Sequence, residues 1–239
     1  MRKTMVISSL MLALCSLQVR AQAMEVMDTT MSYMDVGALK GGEWVEMESI
    51  MEYGGAKQPA TKSKTACVKV DGDHVWIETS AADVVTCYQI AKKDRKIVKA
   101  WSGKAGEEGK ELTVKPAPAP GATPTPTYEM SGTRKVSKEK LTLGGKEFDC
   151  EKIDQETTMK MKGIPDTKSK STMWFSDGYP FKSYVDKDAK EVKDPTKWEG
   201  DKPTYPGGMV KMVSEGTGYS MTQQVSGIGT DAKPSLKMK

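Results

Sequence analysis

The sequence predicts an all-β protein: a mainly antiparallel, curved open sheet or half-barrel meander, with a short N-terminal helix. Short runs rich in β-branched and aromatic residues follow one another from residue 43 onward, separated by turn-forming residues. After residue 23, no apolar run approaches the roughly 18 residues of a membrane-spanning helix. The helix is predicted by methionines at i, i+3, i+7 and i+10, which form one helical stripe: Met24, Met27, Met31 and Met34.

Residues 1–23 have the features of a cleaved secretory signal peptide. The N-terminus is positively charged, and residues 5–17 are apolar but too few to cross a bilayer. Small residues precede a cut after Ala23, and a cut after Ala21 fits almost as well. Cys15 follows Leu14, whereas a lipoprotein signal requires a small residue there, so we expect no lipid anchor.

The mature chain is therefore expected to be a secreted bacterial protein, periplasmic or extracellular, without an integral membrane segment. The whole chain has 36 Lys+Arg and 32 Asp+Glu, a formal net charge of +4. Removing the three positive residues of the signal leaves 33 against 32, a net charge of +1. Such a balance gives no reason to expect a nucleic-acid partner.

Thirteen strand-like runs are predicted after the signal, at the spacing typical of a β-sheet, barrel or sandwich. They cover residues 44–53, 64–70, 73–79, 84–91, 96–101, 111–115, 127–136, 140–143, 146–158, 169–175, 181–185, 209–214 and 219–225.

The strongest local signal is Asp71-Gly72, which predicts a hairpin with a two-residue type I′ loop. The facing pairs in that register are Val70–Asp73, Val68–Val75 and Ala66–Ile77. This pairing puts the apolar side chains on one face, and it puts Cys67 opposite Trp76 on the other face.

Three cysteines follow the signal: Cys67, Cys87 and Cys150. Their odd number permits at most one internal disulfide. A meander would place Cys67 and Cys87 two strands apart, about 9.5 Å, beyond the limit of about 7 Å for a disulfide. A bridge between these two would require another topology, whereas a pair that includes Cys150, or buried free thiols, remain open.

The proline-rich residues 116–126 are expected to be extended. They could link two β domains, 24–115 and 127–239, or form a mobile loop within one sheet. We favour a single antiparallel β domain over residues 24–239. A second long loop is predicted at residues 186–206, which are rich in Lys, Asp and Pro.

Catalytic signatures are missing from the sequence. Its one histidine, His74, lies beside the predicted hairpin turn, and no Gly-x-Ser-x-Gly accompanies it. Zinc-binding spacings and a glycine-rich phosphate loop are missing as well. We therefore predict a non-enzymatic protein without a cofactor.

The mature chain is rich in methionine, which has two possible explanations: metal binding or apolar packing. Thioethers are soft ligands, so a Cu(I) site at Met24, Met27, Met31 and Met34 is a minor alternative. The favoured interpretation is that methionine fills a core or an adaptable apolar surface.

The tryptophans are a second group of candidate binding-site residues. A curved sheet lined with Trp, Met and Val would hold an apolar ligand. The candidate ligand-binding residues are Trp44, Trp76, Trp101 and Trp174, although each one alone is more typical of an ordinary core.

Residues 171–185, Ser-Thr-Met-Trp-Phe-Ser-Asp-Gly-Tyr-Pro-Phe-Lys-Ser-Tyr-Val, have a strand that ends in Trp-x-Ser, then a turn, then a proline that begins the next strand. With residues 207–211 and the strands after them, this part resembles the periplasmic lipoprotein-carrier superfamily and related exported bacterial proteins. The resemblance covers about 55 residues. It implies a curved antiparallel sheet that carries lipid or lipoprotein acyl chains, but the long helices of the usual lid are not evident in this sequence.

Two classes of function follow. In the first, an exported envelope protein binds an apolar small molecule or a lipoprotein acyl chain on its curved sheet. In the second, a structural or interaction protein of the envelope has no small-molecule site. A concave apolar face would favour the first class, and a fully filled sheet with a polar outer face the second.

Overall fold

The computed structural model describes residues 25–117, 128–161, 163–183 and 196–237. The predicted signal peptide, most of the proline-rich segment and part of the second predicted loop lie outside these ranges. The described residues form a 3-10 turn at Val36–Ala38 and fourteen strands: β1 (Glu25–Met27), β2 (Trp44–Tyr53), β3 (Ala56–Lys57), β4 (Thr61–Asp71), β5 (His74–Ala81), β6 (Val84–Ala91), β7 (Ile97–Lys104), β8 (Lys110–Lys115), β9 (Tyr128–Leu143), β10 (Lys146–Met161), β11 (Ile164–Ser176), β12 (Thr196–Gly200), β13 (Gly208–Gly216) and β14 (Tyr219–Gly229).

These strands form one open sheet, in the order β1-β8-β7-β6-β5-β4-β2-β14-β13-β11-β10-β9-β12, with β3 beside β2. Pairing is antiparallel except at the two ends, where β1 joins β8 and β12 joins β9 in parallel. The predicted all-β class, mainly antiparallel and open, is confirmed. Because β2 pairs with both β4 and β14, strands from both sides of the proline-rich segment share the sheet.

The sheet bends so strongly that its β9–β10 turn comes back to β14. A Cβ atom added to Gly144 in that turn would lie 2.9 Å from the backbone nitrogen of Gly227. This bend gives the sheet an enclosed face and an outer face.

Most predicted strands are present; three predicted segments differ, and the short strands β1 and β3 have no counterpart among the predicted runs. Residues 127–136 and 140–143 belong to one strand, β9, because the polar residues between them pair with β10 in unbroken register. The predicted strand at 181–185 is wrong over its described part, which is a loop with a single bridge at Ser183. Part of the predicted loop 186–206 is strand β12.

The predicted hairpin exists, but its register is wrong by one residue. Asp71 pairs with His74, so Gly72 and Asp73 form the loop. Only Gly72 of these two has a positive φ, 51°, as a type II′ turn requires at its first loop position. A bulge between Cys67 and Lys69 leaves one extra residue on β4 and so changes which β4 residues face the core. Cys67 consequently pairs with Ile77, and both lie on the enclosed face.

The predicted N-terminal helix is also wrong. Val26 lies in β1, which pairs with β8, and the chain then continues through consecutive turns. Their backbone hydrogen bonds join residues three apart: Thr30 to Met27, Ser32 to Thr29 and Met34 to Met31. Strand pairing at the start, followed by Asp28 and two β-branched threonines, disfavours a regular helix here.

The main core lies on the enclosed face and draws residues from most of the sheet. It contains Val45, Met47, Cys67, Val75, Ile77, Ile90, Ile97, Ala100, Phe148, Cys150, Trp174, Val210 and Val225. A smaller cluster lies on the outer face of β5–β7, where Val85, Cys87 and Trp101 pack against Leu236. Within the described residues, no helix has the length and apolarity that a membrane span requires.

The three described cysteines are buried and free. Cys67 on β4 belongs to the main core, and Cys87 on β6 belongs to the outer cluster, with β5 between their strands. The two side chains therefore point to opposite faces. The prediction that a meander forbids a disulfide between them is confirmed.

Candidate ligand-binding site

The enclosed apolar face is closed by irregular chain. Residues 28–42, named here the cover segment, place four side chains in the main core: Met31, Met34, Val36 and Leu39. These four are between 0% and 5% exposed. A second stretch, residues 177–183, adds Tyr179 and Phe181 to the same cluster. The enclosed face is therefore covered by two irregular stretches of chain and not by a helix or a second sheet.

The first end of the cover segment is held at Asp28. Its backbone nitrogen donates to Lys115 O (2.8 Å), and its carbonyl accepts from Ile97 N (2.8 Å). Its carboxylate accepts from Ala117 N (2.9 Å) and lies 3.2 Å from Lys96 Nζ. The hydrogen bond from Ala117, and then the contact with Lys96, lowers the pKa of Asp28 below its ordinary value.

The other end is held where β2 and β4 meet. Gly42 N donates to Cys67 O (2.7 Å), and Cys67 N donates to Glu43 O (2.7 Å). The Glu43 carboxylate accepts from the backbone nitrogens of Lys40 (2.7 Å) and Gly41 (2.8 Å). Both ends of the cover are thus fixed by backbone hydrogen bonds to the sheet.

The middle of the cover segment has fewer attachments. Met34 forms an isolated antiparallel bridge with Ser183, where Asp35 N donates to Lys182 O (2.9 Å). Arg95 Nε donates to Ser32 O (3.2 Å). Between its fixed ends, the cover is joined to residues 177–183 and to the β6–β7 turn, and its apolar side chains provide the remaining contact with the sheet.

Tyr179 closes the far side of this region. A Cβ atom on Gly208 would lie 2.3 Å from Cδ1 of the Tyr179 ring, so only glycine allows the ring to pack there. The ring of Phe181 meets it edge to face, at 6.4 Å between centroids. Burial raises the pKa of Tyr179 to about 12, so its hydroxyl is protonated at neutral pH.

Three of the four predicted tryptophans lie away from this covered face, on the outer side. Trp101 packs in the outer cluster, with Trp76 at its margin. Trp76 has Lys69 Nζ 4.6 Å from its ring centroid. Trp44 lies against Gly229, and its Nε1 donates to Asp231 Oδ1 (2.7 Å).

Trp174 belongs to the main core, and its Nε1 donates to Glu139 Oε2 (2.9 Å). Lys152 and Lys211 approach its ring at 5.7 Å and 5.1 Å from the centroid. The four tryptophans are therefore split between the two faces and do not line one site. Their role in ligand binding stays a prediction.

The described methionines of the predicted Cu(I) site differ in their burial. Met24 lies outside the described residues, and Met27 is 51% exposed. Met31 and Met34 are buried in the main core. Because these residues do not form a helix, their spacing does not place them on one helical stripe, and the Cu(I) site stays a prediction.

An open groove of about 420 Å³ crosses β9 and β10 near Cys150. Glu151 at this groove accepts hydrogen bonds from Thr204 N (2.9 Å), Thr204 Oγ1 (2.7 Å) and Tyr205 N (2.9 Å). Burial raises the pKa of the Cys150 thiol to about 11. Glu151 therefore fixes a loop, and Cys150 is a protonated thiol rather than a nucleophile.

One structural feature had no sequence signal at all. Residues 230–237, named here the strap, cross the outer face and bury Leu236. Glu78 is only 3% exposed. Its two carboxylate oxygens both accept a hydrogen bond from Ser235 N, each at 2.9 Å, and Oε1 also accepts one from Leu236 N at 3.2 Å. Side chains alternate between the two faces along β5, so Glu78 lies on the same face as His74 and Trp76. A glutamate on that outer face would be expected to be exposed to solvent. Only the return of the distant C-terminal chain buries it.

No protein-family model matches this chain, and no curated protein matches it. Solved structures give weak likenesses. A lipoprotein candidate from Parabacteroides distasonis is 9% identical at a TM-score of 0.32, over 80% of this chain and 96% of that one. A DUF1329 family protein from Desulfovibrio piger is 14% identical at a TM-score of 0.30, over 83% and 90%.

A candidate outer membrane lipoprotein-sorting domain from Vibrio parahaemolyticus is 11% identical at a TM-score of 0.27, over 79% of this chain and 85% of that one. This is the class of protein that residues 171–185 and the strands after them resemble in sequence.

Proposed function

We propose that this chain is an exported, non-enzymatic envelope protein that binds one apolar chain, such as a lipid or lipoprotein acyl chain, between its sheet and its cover segment. One observation carries the proposal: a continuous apolar sheet face is closed by an irregular segment that is fixed at its ends. The two core methionines of the cover, Met31 and Met34, are flexible and can repack around a guest. The signal-like residues 1–23 support the export part of the proposal.

The proposal requires the cover to move, and a reversible cross-link tests this directly. Met34 and Ser183 form the bridge between the cover segment and residues 177–183. The bond from Asp35 N to Lys182 O makes them a non-hydrogen-bonded antiparallel pair, with Cα atoms about 4.5 Å apart. That separation permits a disulfide, so the double variant Met34→Cys, Ser183→Cys should lock the cover when oxidised.

The assay is binding of a fluorescent fatty acid to delipidated protein. We expect binding by the native chain and by the reduced double variant, and loss of binding in the oxidised variant. The reduced form is the matched control because it has the same side chains in the core. The native thiols do not interfere, since they are buried and their raised pKa values keep them protonated.

Absence of binding in both the native chain and the reduced variant would reject the acyl-chain proposal. Such a result would favour the structural or interaction protein instead. The observation behind that second candidate is that the cover already fills the face, with Val36 at 0% and Met34 at 3% exposed.

A further inference from the structure

Methionines that are far apart in the chain are brought together on one face of the sheet. Met173 on β11 pairs directly with Met212 on β13. Met221 on β14 pairs directly with Met51 on β2. Directly paired residues of antiparallel strands have Cβ atoms about 4.5–5.5 Å apart on the same face. Each pair therefore places two thioethers side by side.

The two pairs are also neighbours of each other. Met212 pairs with Gln223, and Met221 lies two residues from Gln223 on the same strand. Met212 and Met221 are thus diagonal neighbours on one face, a separation of about 7–8 Å that long side chains can span. The register is unbroken from β11 to β2 across these residues. The four side chains form one stripe over four adjacent strands, named here the methionine stripe.

The stripe is accessible, and its surroundings are neutral. All four methionines are half-buried, and none belongs to either core cluster. The positions between them on this face are Ser49, Ser214 and Gln223. A directly paired tyrosine couple, Tyr53 and Tyr219, lies at the end of the stripe and is 53% and 39% exposed. Soft sulfur ligands therefore lie on a face of uncharged polar neighbours.

We propose that the methionine stripe binds a soft monovalent metal ion, Cu(I), between its diagonal neighbours Met212 and Met221, with the thioether of Met173 or of Met51 beside them as a further ligand. Thioethers prefer Cu(I), whereas hard divalent cations need oxygen ligands. Neutral thioether ligands suit a single positive charge, since the ion brings the only charge to the site. The inference does not depend on the proposed acyl-chain function, because the stripe uses none of the cover residues.

The first test is a Cu(I) titration of the full chain under anaerobic conditions, against a colorimetric Cu(I) chelator as competitor. Leucine keeps the size and apolarity of methionine but lacks sulfur. The double variant Met173→Leu, Met212→Leu should lower the Cu(I) affinity by more than about 100-fold. A loss of roughly 10–100-fold is typical when a residue that only supports a metal ligand is replaced. The variant Met51→Leu, Met221→Leu should do the same. Circular dichroism would show that both variants keep the sheet.

The matched control is a third directly paired couple, Met130 and Met159, which lies between β9 and β10. The variant Met130→Leu, Met159→Leu should leave the Cu(I) affinity unchanged. Equal loss in this control, or no loss in the stripe variants, would overturn the proposal. Binding of an apolar peptide by the native chain, without Cu(I) binding, would identify the stripe as a docking surface and also overturn it.

A second measurement separates thioethers from every other soft ligand in the chain. Thioether sulfur carries no proton, so the Cu(I) affinity should stay constant from pH 7.5 to pH 5.5. A site built on cysteine thiolates would weaken by about tenfold per pH unit and per proton displaced, because its ligands must be deprotonated. A fall of that size would place the ion on Cys67, Cys87 or Cys150 and reject the methionine site.

Discussion

Replacing Glu78 with glutamine should release the strap from the outer face. Glu78 is a buried carboxylate that accepts bonds from the backbone nitrogens of Ser235 and Leu236. A glutamine side chain at this position would keep one carbonyl oxygen, but its amide nitrogen cannot accept a hydrogen bond. The variant therefore presents a donor where the strap also presents donors.

The magnitude follows from these contacts. A hydrogen bond to a charged group contributes about 1.5–3 kcal/mol, and a neutral one about 1 kcal/mol. Glu78→Gln loses one of the three bonds, that from Ser235 N to Oε2, and the two bonds to the remaining oxygen become neutral. A neutral amide is easier to bury than a carboxylate, which offsets part of the loss. We expect the free energy of unfolding to fall by about 2 kcal/mol.

Urea unfolding followed by tryptophan fluorescence measures this change, and hydrogen exchange at the amides of Ser235 and Leu236 locates it. The control is Glu111→Gln, an exposed glutamate on β8, which should change the stability by less than about 0.5 kcal/mol. Leu236→Ala alone should cost about 2–4 kcal/mol. Combined with Glu78→Gln, it should cost less than the sum, because either change frees the strap.

Strict additivity, or unchanged exchange at both amides in Glu78→Gln, would refute the reasoning. Either result would mean that the carboxylate does not hold the strap and that the apolar contact of Leu236 suffices.

Three further predictions concern other parts of the fold. Gly207→Ala should lower the free energy of unfolding by about 1–3 kcal/mol more than Gly218→Ala does, as measured by urea unfolding. Both glycines have positive φ, but only at Gly207 would a Cβ meet backbone, 2.2 Å from Ser176 O. The described cysteines should react with an aromatic disulfide reagent at pH 8 only after denaturant is added, and stability should fall as pH rises above 9. The sign follows because burial raises the pKa of Cys67 and Cys87 from 9.0 to about 12, so unfolding releases protons in that range. Asp28→Asn should make stability less sensitive to acid, as followed by unfolding at stepwise lower pH. The pKa of Asp28 is lowered from 3.8, so the stability that it contributes is present above that value and is lost as pH falls through the lower folded pKa.

Sequence reasoning succeeded where the signal was local. Strand-like runs predict β2 and β6 at their observed bounds, and glycine pairs flank β2 on both sides. The succession of such runs predicts the open antiparallel class. The hairpin at Gly72 shows where local reasoning ends. Asp-Gly suits a type I′ loop, but the bulge near Cys67 shifts which residues face the core, and a bulge has no clear signal in one sequence.

The candidate sites depend on contacts between distant residues, so they could be predicted only in part. Spacing along the chain suggested that methionines near the N-terminus act together, whereas strand pairing gathers Met51, Met173, Met212 and Met221 from four strands. The burial of Glu78 depends in the same way on the last residues of the chain. Methionine abundance was the clue in the sequence, and the pairing register supplied the positions.

The central place of β2 has a consequence for how the sheet can assemble. β2 begins at Trp44 and pairs with β14, which ends at Gly229, so nearly the whole chain separates these partners. Pairing between such distant segments is slow, because loop closure must precede the contacts that stabilise it. Until β14 arrives, β2 presents an open edge to any other strand nearby. A chain shortened before residue 219 would therefore expose the middle of its sheet rather than its rim, and we expect it to aggregate where the full chain folds.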